Sequence, residues 1–369
     1  MNQNIFLAIL FVSLGLAGCK LGTDPLAIPD EYDGSSFAVN AATELEVVNQ
    51  LGQMATYLEE GRDPGFPLSS TTLTIDFNNG SPSLSSLSST YYRGLIEQWI
   101  PEVSAASGKT YSFEDAPNGD GGVIEGYLFD ENGLELQQMI EKGMYGAVLY
   151  RYAISLMRGT IDVTTSDRLI AIFGAHPDFA NSGNADLHNN PDRFMAKYAA
   201  RRDPADGTGF YTRMQDAFIL LQAATQAGAD YQPEMQEALE AIQENWEKAN
   251  AATVINYLSS AISTLSSSSP SDEDIAGAIH SYSEGVGFLH GWRTLNDDYR
   301  LITDDQIDDL LVMMNAPAGE TPTSYLLVTN SFSELPDLQA AIDEIQDIYG
   351  FTDAEVAGFA INQVSTQGR

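Results

Sequence analysis

From Phe129 to Arg158 the chain reads FDENGLELQQMIEKGMYGAVLYRYAISLMR, a long helical pattern with no proline in it. Leu136, Met139, Ile140, Tyr145, Val148, Leu149, Tyr152 and Leu156 recur mostly three or four apart, so they share one stripe of a helix. Asp130 or Asn132 is the expected N-cap, and Arg158 followed by Gly159 the expected end. Gly143, Gly146, Ala147 and Ala153 lie in the middle. A helical Gly costs about 1 kcal/mol relative to Ala, so two of them there predict close approach by a neighbouring helix. The expected fold is all-α: one helical bundle or two, packed around this central glycine-containing helix.

The N-terminus carries a second constraint. Ile5 to Leu16 is an apolar run of the length of a signal-peptide core and too short to span a membrane as a mature helix. Leu16-Ala17-Gly18-Cys19 reads as a lipobox, in which small residues allow cleavage before Cys19 and the Cys19 sulfur receives lipid. Residues 1–18 are then a lipoprotein signal peptide and residues 19–36, rich in Pro, Asp and Gly, a tether. Met1 to Asn4 departs from the usual signal in lacking Lys and Arg, and Lys20 rather than Asp follows Cys19, which points to the outer membrane. Each buried lipid methylene contributes about 0.8 kcal/mol, so a multiply acylated Cys19 anchors firmly. Cys19 is the only cysteine in the sequence, so disulfides within the chain and cysteine-based metal sites are excluded.

The remaining residues, 37–369, read as a helical domain. A net charge of -35, from 52 acids against 17 bases, argues against nucleic acid as a partner, because phosphate binding needs clustered Lys and Arg. Cations and basic proteins remain compatible, as does a solvated acidic surface with no specific ligand. Further helices are expected at 41–60, 90–106 (kinked or ended by Pro101), 164–173, 191–203, 210–227, 233–265, 275–295, 303–314, 333–349 and after Thr352. In the 233–265 helix, Glu237, Glu240, Glu244 and Glu247 are expected to face mostly outward. Gly277, Gly285, Gly287 and Gly291 again imply tight packing. Thr303 with Gln306 and Thr352 with Glu355 form capping boxes, and Gly350 is a C-cap. Residues 61–89 read as loop, with a short strand at Thr71 to Phe77. The acidic, glycine-rich run from Asp115 to Glu125 has Ala116 and Tyr127 where a calcium loop needs acids, so it reads as a turn.

His280 and Glu284 lie four apart on a predicted helix and share a face. Two such ligands do not make a metal site; Glu131, Glu135 and Glu141 of the central helix are candidate further donors. The alternative is a buried His satisfied by hydrogen bonds. His176 and His188 fall in a loop and are expected to be exposed. Arg202 is expected to pair with an acid of the central helix, more as a structural ion pair than as a substrate contact. Trp99, Trp246 and Trp292 read as core. HExxH, GxSxG, Walker A and GxGxxG patterns are all absent.

FDENGLELQQMIEKGMYGA, FMAKYAARRD, NWEKANAATVINYL, HSYSE and ITDDQIDDLL occur in the order seen in an uncharacterised lipoprotein family of Gram-negative bacteria. That family carries a domain of unknown function and is similar to the imelysin-like, iron-regulated outer-membrane proteins. The resemblance runs from about Tyr32 to the end. It implies a helical, imelysin-like lipoprotein on the periplasmic or surface face of the outer membrane, working beside iron, haem or other cation uptake. No cofactor is fixed by it; a divalent cation or iron is the class it points to. Its ligand-binding candidates are Glu131, Glu135, Arg202, Asp203, His280 and Glu284, with Ser283 also matching. Where relatives carry His-Trp-Asp-Glu, this chain has Thr164 to Arg168, of which only Asp167 fits; Gly174-Ala175-His176 begins a GxHxxE motif but has Phe179 in place of Glu. The leading expectation is a non-enzymatic, lipid-anchored binding or accessory protein. The alternatives are an imelysin-like metallopeptidase and an interaction scaffold for an outer-membrane receptor.

Overall fold

The computed structural model describes residues 24–369; the lipobox and Cys19 lie outside the described residues. Twelve helices organise the account: α1 (Ala42–Glu60), α2 (Ser70–Asn78), α3 (Thr90–Ala106), α4 (the central rod, residues 136–157), α5 (Thr165–Phe173), α6 (Phe194–Arg202), α7 (Phe210–Ala227), α8 (Gln232–Leu265), α9 (Asp272–His290), α10 (Asp304–Met313), α11 (Ser331–Tyr349) and α12 (Asp353–Phe359). Among the described residues the fold is all-α apart from one two-stranded hairpin, β1 (Gly122–Ile124) with β2 (Tyr127–Phe129), paired antiparallel with Val123 opposite Leu128. The Glu125-Gly126 turn has positive φ at both positions, the backbone of a type I′ hairpin.

The rod starts at Leu136, not at Asp130, and neither Asp130 nor Asn132 caps it. Asp130 instead accepts the amides of Asn132 and Leu134, a tight Asx-type turn that holds the chain off helical geometry until Glu135. The rod then runs as α-helix (Leu136–Met144), π-helix (Tyr145–Tyr150) and α-helix again (Arg151–Met157). All six residues of the π segment are buried, so the rod is central, as its apolar pattern predicts.

Its glycines meet the glycines of α9. A Cβ at Gly287 would lie 2.6 Å from the Gln138 carbonyl oxygen, and one at Gly146 would lie 2.6 Å from that of Gly291. A Cβ at Gly291 would overlap the Gly143 carbonyl. Absent side chains at Gly146, Gly287 and Gly291 let two backbones touch, while the one absent at Gly143 leaves room for the Tyr92 hydroxyl. Gly277 and Gly285 of α9 make only ordinary contacts and do not serve this crossing. The hydrophobic side chains form one continuous buried cluster that includes Trp99, Trp246 and Trp292.

The capping boxes at Thr303/Gln306 and Thr352/Glu355 form as expected, and Gly350 ends α11 in the left-handed region. Three expectations are corrected. Thr71 to Phe77 is helix, not strand: Ser69 caps it, and Leu73 and Phe77, four apart, are buried while Ile75 between them is exposed. Pro101 neither ends nor replaces α3, which continues to Ala106. Glu247 is buried, because its carboxylate accepts the amides of Leu301 and Ile302 and the Tyr349 hydroxyl. Residues 24–36 lie on the body: the Tyr32 hydroxyl donates to Asp167, and the Asp33 amide to Gln222.

Candidate functional site

The N-terminal end of the rod faces α9, and the charged side chains between them form one chain of contacts. Glu135 is fully buried. Its Oε2 lies 2.5 Å from His280 Nδ1, and its Oε1 lies 2.9 Å from Arg62 Nη2. The Arg62 contact is ionic, with the N–H groups off the line to Oε1; Arg62 Nε donates to Gln137 Oε1 at 2.7 Å. The Ser283 hydroxyl accepts the Glu135 amide. Tyr127 of β2 stacks on the His280 ring at 4.6 Å, and the Arg62 guanidinium lies over the Tyr127 ring at 5.3 Å from its centre.

On its other edge, His280 Nε2 is 3.7 Å from Glu284 Oε2. Glu284 Oε1 lies 3.2 Å from Lys142 Nζ and accepts the Tyr198 hydroxyl at 3.3 Å. Lys142 also reaches Glu141 at 2.5 Å, and Tyr145 donates to the same carboxylate. Burial pushes the Glu284 carboxyl up, but Lys142 and His280 outweigh it and hold the group below its usual range. Burial alone would lower the Lys142 ammonium; Glu141, Tyr145, Tyr198 and Glu284 together hold it well above its ordinary value.

Charge balance decides what this cluster can hold. Glu135, Glu141 and Glu284 face Arg62, Lys142 and, when protonated, His280. Three carboxylates thus meet two permanent cations, so most of their charge is already paired within the protein. Among the described residues, no group of three or more His, Cys, Asp or Glu side chains is arranged to hold a metal ion. The donor set therefore does not fit a divalent metal, and no catalytic step is derived through one.

The other expected site residues lie elsewhere. Glu131 belongs to the turn before the rod and faces a separate cavity. Arg202 does not pair with an acid of the rod: its Nη1 donates to the Phe359 carbonyl at 2.5 Å, tying α6 to the C-terminal segment. Asp203 accepts the amides of Ala205 and Thr212, acting as a remote cap for α7. Gly209 leaves room for its carboxylate, which any Cβ there would strike. His176 and His188 are half-buried rather than exposed, His176 beside Asp178 and edge-on to Phe37. The residues missed from sequence are Arg62, Lys142, Tyr127 and Tyr198. Their one advance signal is the scarcity of bases, which makes each Lys or Arg beside an apolar face a candidate ion-pair partner.

The cavity beside Glu131 measures about 520 Å³. Leu95, Trp99, Leu136, Met139 and His290 line its apolar part, and Glu102, Asp120, Asp130, Glu131 and Glu320 its acidic part. Burial, followed by the Glu102 and Glu131 charges, pushes the half-buried Asp130 carboxyl up to about 7 against the pull of its two backbone hydrogen bonds. His290 is buried among Tyr91, Tyr92 and Trp99. Its Nε2 faces the Tyr91 hydroxyl at 3.5 Å, and its Nδ1 has no partner. Burial, then the Arg293 charge, lowers it to about 4, so the ring is neutral at pH 7.

Residues 175–352, just under half of the chain, match the model of a family described as a domain of unknown function, DUF4856. The match contains His280, Glu284 and His290 and stops short of the rod. No curated protein and no solved structure matches the chain.

Proposed function

We propose that this is a non-enzymatic, lipid-anchored binding protein of the cell envelope that holds a small organic cation in the acidic cavity. The observation that carries the reading is the convergence of Glu102, Asp130 and Glu131 with Trp99 on one cavity. At about 520 Å³ that cavity is in the range of small-molecule sites and far larger than a bare ion needs. Carboxylates at its rim attract an ammonium group, and an indole face adds cation–π attraction. An ammonium beside Asp130 would favour its ionised form and relieve the mutual repulsion of the acids.

The envelope location is supported by Leu16-Ala17-Gly18-Cys19, and among the described residues no helix is long and apolar enough to cross a membrane. Iron or another bare metal ion is less favoured as the ligand, because Arg62 and Lys142 already pair with Glu135 and Glu284. The same donor set gives a metallopeptidase no support.

Calorimetric titration of the mature chain with spermidine, and separately with Ca²⁺, Zn²⁺ and Fe²⁺, tests this. Saturable heat with spermidine, weakened in Glu131→Gln, is the expected result. No heat from any of the four cations overturns the cation reading, and tight binding of a metal alone replaces the organic cation by that metal.

A further inference from the structure

One cavity is lined by bases and not by acids. Lys197 and Arg201 of α6, with Arg369, line a second cavity of about 520 Å³ together with Gly183, Asn184, Asn362 and Ser365. No acidic side chain lines it, although the chain has 52 acids against 17 bases. Lys197 and Arg201 are four residues apart, so they project from one face of α6.

These cations are not spent on carboxylates. Among the described residues, neither Lys197 nor Arg201 has an acid within 4.0 Å. Arg201 packs its guanidinium over the Tyr198 ring at 5.0 Å. Arg369 donates to the carbonyls of Asn181, Ala200 and Asp203, which fixes its position without cancelling its charge, and its Nε is buried with no partner. Burial lowers the Lys197 ammonium, and the neighbouring Arg201 and Lys142 lower it further. Like charges this close repel, and an anion between them offsets that repulsion.

We propose that this pocket binds a phosphate-type oxyanion. Lys197, Arg201 and Arg369 bring several charged N–H donors to one pocket, which suits the oxygens of a phosphate better than those of a single carboxylate. The side chains of Asn184, Asn362 and Ser365 supply further hydrogen-bond donors around it. The site is separate from the acidic cavity and does not depend on what that cavity holds.

The test uses the mature chain. Inorganic phosphate is titrated by calorimetry, with sodium acetate as the monovalent control. Vesicles of phosphatidylcholine, with and without phosphatidic acid, are sedimented with the protein in parallel. Binding of free phosphate identifies a soluble ligand; binding of phosphatidic-acid vesicles alone identifies a lipid headgroup. In either arm, Lys197→Met and Arg201→Gln each weaken binding about tenfold, while Arg201→Lys keeps most of it. Thermal melts of the variants confirm that they fold. Absence of binding in both arms, equal affinity for acetate, or binding unchanged in the folded variants overturns the proposal.

Discussion

His280 Nδ1 lies 2.5 Å from Glu135 Oε2, across 145 residues of chain and inside a cluster of buried and half-buried charges. This contact fastens α9 to the start of the rod. Its neighbours Arg62 and Lys142 convert what resembles a ligand set into a closed ion-pair network.

Removing one member of such a network leaves the others uncompensated. Glu135→Ala is expected to cost about 3–5 kcal/mol of folding stability, because a buried pair broken on one side strands its partner charge. Urea unfolding followed by circular dichroism measures this. A loss below about 1 kcal/mol, the range of an exposed pair, would show that the cluster is not the fastening described.

The glycine crossing makes a paired prediction. Gly287→Ala puts a methyl against the Gln138 carbonyl, and overpacking of this kind costs about 1–3 kcal/mol. Gly358→Ala, in α12 with open space around it, is expected to be neutral or to stabilise by up to about 1 kcal/mol. Thermal melts of the two variants should move in opposite directions or differ clearly; equal shifts would remove the backbone contact as the reason for Gly287.

His290 links stability to acid pH. Its folded value, lowered to about 4, lies below the ordinary imidazole value of 6.5. The unfolded chain therefore takes up the proton first as pH falls. The stabilisation from keeping the ring neutral is fully present above pH 6.5 and is lost as pH falls from there towards 4, a change of order 3 kcal/mol. NMR titration should find the His290 ring neutral down to pH 5; a midpoint near 6.5 would contradict the burial described.

Asp130 ties ligand uptake to pH near neutrality. With its carboxyl raised to about 7, the cavity gains a negative charge as pH rises through neutrality. Spermidine affinity should therefore increase between pH 6 and 8. Asp130→Asn keeps the oxygen that accepts the Asn132 and Leu134 amides, and should flatten that dependence. A pH profile identical in the two proteins would detach Asp130 from binding.

Local signals in the chain were readable where physics is local. Thr303 with Gln306, Thr352 with Glu355, and Gly350 are written within one helical turn, and each forms as expected. The glycines of the rod announced a crossing, and those of α9 its other half. His280 with Glu284 was legible from spacing, and their meeting with Glu135 from resemblance. Arg62 and Lys142 were not, because the closing of a charge network depends on chain segments far apart in sequence. The strand expected at Thr71 to Phe77 failed because Leu73, Ile75 and Phe77 fit a period of two as well as Leu73 and Phe77 fit a helix face; the Ser69 cap decides between them. Arg202 and Asp203 looked like ligands and are joints, a difference set by carbonyls and amides that composition does not reveal. The acidic cavity draws on α3, the hairpin region, the rod, α9 and residues 316–322, so no single stretch displays it.

The most direct test of the cation reading is tryptophan fluorescence during spermidine titration of the mature chain. All three tryptophans are buried, and of them Trp99 lines the acidic cavity. The account predicts a saturable change in the wild-type protein that disappears in Trp99→Phe. No change in the wild type, or a change that persists undiminished in Trp99→Phe, would contradict it.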